Sequence, residues 1–517
     1  MAHAGRSRRL LTAIAATLTA TALVAGCGGS AVTEASTDAA QPLAGTEQSP
    51  VAETPTADAG IPAAVDGAAA PATGVTPADA AQAVPAVGTQ PGTTPDKAGK
   101  PAKAAAGAAT TAGSALEKLV ASAPIFGGTA PCKPATLSEI NIGNVSTISG
   151  VLGELFSPAV SAMQVFVAAQ NACGGLNGHK IKFFIDDDQG DPSTAISKIL
   201  NMIQNNKVLA FSGNVQVLTV DAILPTIKKY GIPIIGNDIT NNTWFTNPML
   251  FPQGAPAQAI SYGYLNATKT HFKKQNFGHV WCLEVPRACE QINRAVKELA
   301  PQLGVALKKD IQVSITSPSY VQQCLDLKNS GAEAIALTFD AASMNRLARS
   351  CTQVGYAPDI MAYPLGVGNE KQFLGNSWLG NAYIPMNSFP WMGNSTAPEK
   401  FWQASLKKYN PNMVSGGAAS LGWSAGALLV AASAGLSAEN PTTQQLLDTL
   451  YQFKGQKFTS LNGLLTSPLT FREGNTPKVP YCYFAAISND ANTGWATPVS
   501  KPICTDVIAP SDPQKNS

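Results

Sequence analysis

Apolar and polar positions alternate in blocks between residues 140 and 242, and the blocks predict strands separated by helices. Four short apolar runs end in polar or glycine residues, and the strands they predict are Ile140–Val145, Lys180–Ile185, Val208–Phe211 and Ile232–Ile235. The segments between them have helical periodicity. Strands that alternate with helices along the chain predict a parallel sheet with helices on both faces.

A second block of the same kind follows between residues 271 and 363. Its predicted strands are Val280–Leu283, Ile311–Ile315, Ala334–Phe339 and Asp359–Ala362. Three predicted helices come next, at Glu399–Tyr409, Ala418–Ala434 and Thr443–Phe453, before a last part rich in strands. The fold class predicted is α/β, with two doubly wound parallel sheets.

Ligands of such sheets bind beyond the carboxyl ends of the strands, so function is sought there. In the first block these ends are Ser146–Gly153, Asp186–Asp191, Ser212–Gln216 and Gly236–Asn241, which are rich in hydroxyl, amide and glycine residues. The helix after the first strand is predicted to begin at Ser157-Pro158, because proline is well tolerated at the first helical position.

The four carboxylates between Asp186 and Asp191 have two interpretations. They are either a metal site or ordinary solvated residues at a strand end. Asp191 precedes Pro192, a sequence typical of a helix N-cap followed by proline, which favours the second interpretation.

The N-terminus has the pattern of an export signal. A basic stretch is followed by the apolar run Leu10–Ala25, which is short for a membrane span, and Leu23–Cys27 resembles the lipobox of bacterial lipoproteins. We expect residues 1–26 to be a signal peptide and Cys27 to carry the lipid that anchors the protein outside the cytoplasm. The alternative is an ordinary cleavable signal with a chance cysteine.

Residues 27–130 are predicted to form a disordered linker. Residues 28–124 consist mostly of Ala, Thr, Pro and Gly and contain no aromatic residue, so they cannot bury enough apolar surface to fold. The linker is either a tether that lifts the folded part from the membrane or a filler of no required length.

The cysteines that remain without Cys27 are even in number, which predicts disulfides in an exported protein. Proximity along the chain pairs them as Cys132–Cys173, Cys282–Cys289, Cys324–Cys351 and Cys482–Cys504. Zinc is the alternative, since His279 lies near two of these cysteines, but there is no C-x-x-C pair.

Composition and motifs exclude several function classes. Charged residues make up 13% of the chain and the net charge is +2, which gives no electrostatic case for nucleic acid. Gly422–Gly426 matches the nucleophile elbow of hydrolases, but no histidine follows Ser424, as that triad requires. We expect no enzyme activity and no cofactor.

Segments spread over Ile140–Ile508 resemble one known family, the type I periplasmic solute-binding proteins of ABC transporters, and within it the branched-chain amino-acid binding group. The segments that carry the resemblance are Ser146–Gly150, Cys173–Lys180, Asp187–Pro192, Tyr230–Gly236 and Gly366–Asn369.

The resemblance implies two lobes that close on a small molecule and are joined by a hinge of three crossings. Lobe one would hold 137–258 and 384–468, and lobe two 259–383 and 469–508. The partners implied are a small-molecule ligand and the permease subunits of an ABC importer, with the binding protein itself a monomer.

The resemblance also implies which residues bind the ligand. Family members hold a ligand carboxylate at strand ends of lobe one. The corresponding residues here, together with Ser149 of the hydroxyl loop, are Asn214, Val215, Gln216, Ile239 and Thr240.

Three positions of lobe two depart from the family. Leu365 stands where the family has the carboxylate that binds the ligand's ammonium, Asp340 replaces an aromatic region, and Arg287 stands where tyrosine is frequent. Asp340 would replace the lost carboxylate or Arg287 would bind an acidic ligand; otherwise both are solvated residues of the rim. We therefore expect an amino acid or a related small polar molecule.

A sensory module that signals to a membrane partner is the alternative function, since the same fold serves in receptors. An enzyme on this fold is disfavoured by the missing motifs.

Replacing Cys27 by Ala is predicted to release the protein from membranes, because the thiol that would carry the lipid is gone. Membrane and soluble fractions are compared for wild type, Cys27→Ala and the neighbouring control Ser30→Ala. A Cys27→Ala protein that stays with the membrane would contradict the anchor.

Overall fold

The computed structural model describes residues 104–150, 152–496 and 501–516. The predicted signal peptide, Cys27 and the linker up to residue 103 lie outside the described residues. The strands are β1 Leu137–Ser146, β2 His179–Asp187, β3 Ala210–Ser212, β4 Ile234–Ile235, β5 Leu250–Phe251, β6 Asn276–Cys282, β7 Ala306–Val313, β8 Ala334–Thr338, β9 Asp359–Ala362, β10 Tyr383–Met386, β11 Tyr481–Ile487 and β12 Ile503–Thr505.

Twelve α-helices lie in the described part of the chain. They are α1 Ala104–Ser122, α2 Gly153–Asn171, α3 Pro192–Gln204, α4 Val220–Tyr230, α5 Ala257–Thr270, α6 Pro286–Gln302, α7 Val321–Ser330, α8 Ala341–Gln353, α9 Glu370–Phe373, α10 Ala397–Tyr409, α11 Gly417–Ala432 and α12 Thr443–Leu450.

The strands form two sheets, which confirms the predicted fold class. The first has the order β2-β1-β3-β4-β5 and is parallel throughout. The second has the order β12-β11-β10-β9-β8-β6-β7 and is parallel except where β11 pairs with β10 and β12. The chain passes between the sheets three times: after β5, after β10 and before β11.

The lobe boundaries given above stay a prediction, but the sheets bear on one of them. Ile384–Met386 belongs to β10 and hence to the second sheet, so the second passage of the chain comes after Met386 rather than at 384. Two of the passages touch, because the side-chain amide of Asn387 donates to the carbonyl of Ala255 at 2.8 Å.

Helix α1 corrects the C-terminal bound of the predicted linker. Residues 104–122 are helical, and a short 3-10 turn follows at Pro124–Phe126. Leu116, Val120 and Phe126 are buried in the core. Low complexity hid this helix, because alanine is the best helix former and the few large apolar side chains lie one turn apart on one face.

Helix α2 begins earlier than predicted. It begins at Gly153, and Pro158 lies inside it rather than at its first position. The prediction that Asp191 caps α3 is confirmed: its carboxylate accepts from the backbone N–H of Thr194 at 2.7 Å.

Helix α11 is buried along its whole length and packs against α2. It contains the Gly422–Gly426 motif, and the Ser424 hydroxyl donates to the carbonyl of Ser420 at 2.7 Å. The run Gly417–Gly435 has the length and hydropathy of a membrane span, but it lies entirely inside the protein, as a core helix does. The glycines of the motif therefore serve close packing.

Four disulfides join the pairs predicted from proximity, and this prediction is confirmed. Cys132–Cys173 ties the segment before β1 to the end of α2, and Cys282–Cys289 joins the end of β6 to α6. The bonds leave no cysteine thiolate for the zinc alternative in the described residues.

Replacing Gly422 by Ala is predicted to lower the free energy of unfolding by about 1–3 kcal/mol, the usual cost of overpacking. A Cβ at Gly422 would meet the carbonyl oxygen of Ala159 at 2.1 Å, and both atoms are fixed by helices. Gly113→Ala in α1 is the control, because a Cβ there meets only a flexible Gln452 side chain at 3.6 Å.

The control change is expected to raise stability by about 0.5–1 kcal/mol, since alanine costs less backbone entropy in a helix. Chemical denaturation of the two variants and wild type gives both values. Equal stability of Gly422→Ala and wild type would mean that α2 and α11 do not pack as closely as described.

Candidate functional site

A cavity lies between the carboxyl ends of the strands of both sheets. The first sheet contributes residues that follow β1, β3 and β4, and the second contributes residues at or after the ends of β6, β7, β8 and β9. The cavity has an outer part of about 190 Å³ and an inner part of about 30 Å³. Both sheets are thus needed to form it.

The inner part is mostly apolar. Three hydroxyl-bearing residues interrupt its wall, Thr240 after β4, Thr338 at the end of β8 and Tyr363 after β9, and the carboxylate residue Asp340 lines it as well. The apolar residues are Leu152, Leu155, Phe156, Val217, Val285, Ala288, Ile315, Phe339 and Leu365, together with the disulfide Cys282–Cys289. Such a wall suits a ligand with an apolar body and one or two polar groups.

The outer part carries charge. Its charged residues are Glu154, Asp340 and Arg346. Arg346 donates through Nε to the carbonyl of Ser317 at 3.0 Å, and Asp340 caps α8 by accepting from the backbone N–H of Ser343 at 2.9 Å. The second carboxylate oxygen of Asp340 accepts from the Ser343 hydroxyl at 2.5 Å. Both oxygens of Asp340 are thus already bonded.

Three of the predicted site residues line the cavity: Thr240, Asp340 and Leu365. The predicted residues that do not line it are Ser149, Asn214, Val215, Gln216, Ile239 and Arg287. The ligand role of each residue stays a prediction.

The loop Ser212–Gln216 contacts the end of β1 rather than the cavity. The backbone N–H of Val215 donates to the Ser146 hydroxyl at 2.9 Å, and the side-chain amide of Asn144 donates to the carbonyl of Ser212 at 2.9 Å. Asn214 and Gln216 are fully buried and bond to each other at 3.2 Å.

Arg287 forms an ion pair with Asp221. Arg287 is in the first turn of α6, beside the second sheet, and Asp221 is in the first turn of α4, beside the first sheet. A second bond runs beside it, from the backbone N–H of Asn242 to the side-chain carbonyl of Gln291 at 2.9 Å. The two contacts join elements that follow strands of the first sheet to α6, beside the second sheet.

The carboxylates after β2 serve the protein's own structure. Asp186 pairs with Lys198 at 2.9 Å, and Asp188 accepts from the hydroxyls of Thr147 and Thr219. Hydrogen bonds from Ser149 and from backbone N–H groups hold the pKa of Asp187 below its usual value, against the effect of burial. In the described residues no group of three or more His, Cys, Asp or Glu is placed to hold a metal ion.

Asp238 is a buried carboxyl directly behind Thr240. Its Oδ1 accepts from the Thr240 hydroxyl at 2.6 Å, and its Oδ2 makes no hydrogen bond. Burial raises its pKa from 3.8 to about 7, which corresponds to roughly 4 kcal/mol against the charged form. The Tyr363 hydroxyl is buried nearby, beside Thr240.

Behind Thr338 lies a chain of hydrogen bonds that reaches the protein surface. His279 bonds Thr338 Oγ1 through Nε2 and Asn293 Oδ1 through Nδ1, each at 2.8 Å. Asn293 donates to Asp310 at 3.3 Å, and Asp310 pairs with Lys297 at 2.5 Å. Burial lowers the pKa of His279 to about 4, so its ring is neutral at pH 7.

The sequence analysis missed the contribution of α2 to the cavity. Leu152, Leu155 and Phe156 come before the predicted helix start at Ser157, and only the true start at Gly153 turns them toward the cleft. An apolar Leu-x-x-Leu-Phe run directly after a polar strand end was the available signal. Thr338, Tyr363 and Asp238 stood at or near strand ends already singled out, without a pattern that marked them.

Comparison with known proteins agrees with this architecture. The family model for periplasmic binding proteins matches residues 139–492. No curated protein matches the sequence. A possible leucine/isoleucine/valine-binding protein from Rhodopirellula baltica SH 1 is 13% identical, with a TM-score of 0.59 over 71% of this chain and 98% of that one.

Two further solved structures show the same fold. The isoleucine complex of the branched-chain amino acid transporter substrate-binding protein LivJ from Streptococcus pneumoniae is 16% identical, with a TM-score of 0.55 over 71% of this chain and 100% of that one. A solute-binding protein from R. palustris with 4-hydroxybenzoate is 13% identical, with a TM-score of 0.56 over 71% and 97%. The chain therefore belongs to the periplasmic binding protein family, with the type I fold, and it is a binding protein rather than an enzyme.

Proposed function

We propose that the protein is a lipid-anchored solute-binding protein that captures a small molecule between its lobes outside the cytoplasm and delivers it, as a monomer, to an ABC importer. The observation that carries the proposal is the single cavity wall built from strand ends of both sheets. A ligand held there touches both lobes, so its binding energy favours the closed form over the open one.

The shape of the cavity supports capture by closure. The inner part has room for one or two water molecules, so a larger ligand enters when the lobes part. The ion pair Arg287–Asp221 and the bond from Asn242 to Gln291 link the two lobes and break when the cleft opens.

The ligands named for similar solved structures limit the class of cargo. They are isoleucine, benzoate and 4-hydroxybenzoate, and one neighbour is named as a fatty acid transporter's binding protein. All combine an apolar body with a small polar end. The apolar inner wall of this cavity fits that class, and we propose an amino acid or a related compound of the same size.

A thermal-shift screen of the protein against amino acids, aromatic acids, organic acids, amines and polyols is expected to find a ligand that raises the melting temperature. A ligand at about 100 times its dissociation constant adds about 2.7 kcal/mol to stability. Ala342→Trp, at the outer cavity, is expected to abolish the shift, because the indole fills the entrance. Ala404→Trp, on the exposed side of α10, is the matched control.

The same ligand shift in Ala342→Trp and in Ala404→Trp would place the binding site outside this cleft. A screen in which nothing binds to any variant would count against the binding function itself.

A double-mutant cycle with Asp221 tests the role of Arg287. If Arg287 only holds the cleft closed, Arg287→Ala, Asp221→Ala and the double variant each weaken ligand binding by at most about fivefold, since an exposed ion pair contributes up to about 1 kcal/mol. If Arg287 binds the ligand, Arg287→Ala alone costs more than about tenfold. Calorimetric titration of the four proteins separates the two results, and we expect the first.

A further inference from the structure

Three hydroxyl-bearing residues, Thr240, Thr338 and Tyr363, line the inner cavity beside apolar residues and Asp340. Each hydroxyl has one hydrogen to donate and two lone pairs that accept. A hydroxyl whose hydrogen is already used inside the protein can only accept from a ligand. The hydrogen bonds behind the wall therefore decide which ligand groups fit.

On the side of the second sheet, the direction of each bond follows from Asp310. A carboxylate only accepts, and hydrogen bonds from Lys297, Asn293 and Trp281 hold the pKa of Asp310 below its usual value despite burial. Asn293 must therefore turn its amide nitrogen toward Asp310, which leaves its carbonyl oxygen toward His279. The ring of His279 donates to that oxygen through Nδ1.

The neutral ring of His279 has one N–H, and Nδ1 carries it. Nε2 is then an acceptor, and the atom within its reach is the Thr338 hydroxyl at 2.8 Å. Thr338 must donate its hydrogen to His279. The Thr338 oxygen can then only accept, and the Tyr264 hydroxyl, 3.4 Å away, takes up one lone pair and leaves the other for a ligand.

On the side of the first sheet, Asp238 has the same effect. The Thr240 hydroxyl donates to Oδ1 of Asp238 at 2.6 Å, so Thr240 too offers only lone pairs to the cavity. Asp238 is fully buried, and its Oδ2 makes no hydrogen bond. No ion pair within residues 104–150 and 152–496 includes Asp238, so its negative charge has no counter-charge there.

The N-terminal turn of α6 also faces the inner cavity and favours negative charge. This effect is weaker than that of the Asp238 carboxylate. Pro286 at the first position has no N–H, Cys289 N–H already donates to the carbonyl of Val285, and a helix end carries about half a charge against the full charge of a carboxylate.

We propose that the inner cavity is a site for a hydrogen-bond donor and takes the ammonium group of an apolar amine, with Thr240 and Thr338 as accepting hydroxyls and Asp238 as the specificity-determining counter-charge. The proposal rests on the proposed binding function of the same cleft. Tyr363 lines the same cavity, and its buried hydroxyl lies near Thr240.

Asp340 does not compete for this role. Both of its carboxylate oxygens bond to Ser343, and it is partly exposed and lines both the inner and the outer part of the cavity. Asp238 has one free oxygen and no access to water. A buried free oxygen gains far more from a cation than one that is already bonded.

Matched probes test the polarity of the site: 3-methylbutan-1-amine, 3-methylbutan-1-ol and 3-methylbutanoate, and in parallel benzylamine, benzyl alcohol and benzoate. Each set keeps one apolar body and changes the polar end. We expect the amine to bind at least about tenfold more tightly than the carboxylate of its set, with the alcohol between them, in titrations near pH 7.

Asp238→Asn removes the charge and keeps the shape. It is expected to weaken amine binding by at least about tenfold and alcohol binding by less than about threefold. Asp326→Asn, an exposed carboxylate on α7 outside the cavity, is the control and changes neither. Thr338→Val removes an accepting oxygen at nearly constant volume and weakens both amine and alcohol.

A proton measurement separates a charge effect from a structural one. With a pKa of about 7, Asp238 is partly protonated at pH 7, and an ammonium beside it lowers that pKa, so binding the amine releases up to about half a proton. Tyr264 and Tyr363, the titratable groups beside it, have raised pKa values from burial and stay neutral. Calorimetry in buffers of different ionisation enthalpy detects the release, and Asp238→Asn is expected to abolish it.

Folding of Asp238→Asn is checked by its melting temperature as a function of pH. The raised pKa of Asp238 means that wild type loses stability as the pH rises from about 4 to about 7, because a buried charge forms. The Asp238→Asn variant therefore becomes more stable relative to wild type over this pH range.

A carboxylate that binds more tightly than the amine of its set would overturn the proposal while leaving the cleft a binding site. So would an amine that Asp238→Asn binds as well as wild type does. If neither amine binds at millimolar concentration while the broad screen finds a ligand without a donor group, the proposal also fails. A screen without any ligand would instead contradict the proposed function.

Discussion

Parallel pairing of strands is the constraint on which this molecule depends. It places the carboxyl ends of β1, β3 and β4 at one edge of the first sheet, and those of β6, β7, β8 and β9 at one edge of the second. Strands end there in loops, whose side chains are free to face a ligand. Because the chain passes between the sheets three times, the two edges face each other across one cavity. The three passages leave both sheets intact, so the cavity can open by movement between the lobes rather than by unfolding within them.

The sequence carried enough information for this architecture but less for its chemistry. Alternating apolar runs with glycine or polar ends predicted the strands, and β9 at Asp359–Ala362 was predicted to the residue. Disulfide pairing followed from proximity because each bond lies within one supersecondary unit. Helix α1 was missed because its composition resembles that of a disordered chain, and its folding depends on a docking site formed by α11, α12 and nearby turns far along the chain.

The site was harder to predict because burial is decided in three dimensions. Arg287 follows a strand end and has the charge of a ligand-binding residue, but it forms an ion pair with Asp221 of α4, beside the other sheet. Asp340 is a helix cap, which a sequence can reveal through the serine three positions later. Asp238 lies two residues before Thr240, in a strand-end segment that the sequence analysis had singled out. Nothing in the sequence shows that its carboxyl is buried away from water. Burial, rather than residue type, distinguishes these three charges.

The residues that decide what the cavity accepts need not touch the ligand. His279 and Asp238 both stand behind the wall, and each uses up the hydrogen of a threonine in front of it. Leu365 contributes an apolar side chain to the wall, but the pattern of donors and acceptors at the inner end is set by Asp238 behind Thr240 and by a histidine behind β8. Comparison of lining residues alone would see two threonines, a tyrosine, Asp340 and apolar side chains, and would miss Asp238 behind Thr240. The direction of the buried hydrogen bonds supplies that information: Asp238 sets it for Thr240, and Asp310, on the far side of His279 from the cavity, sets it for Thr338.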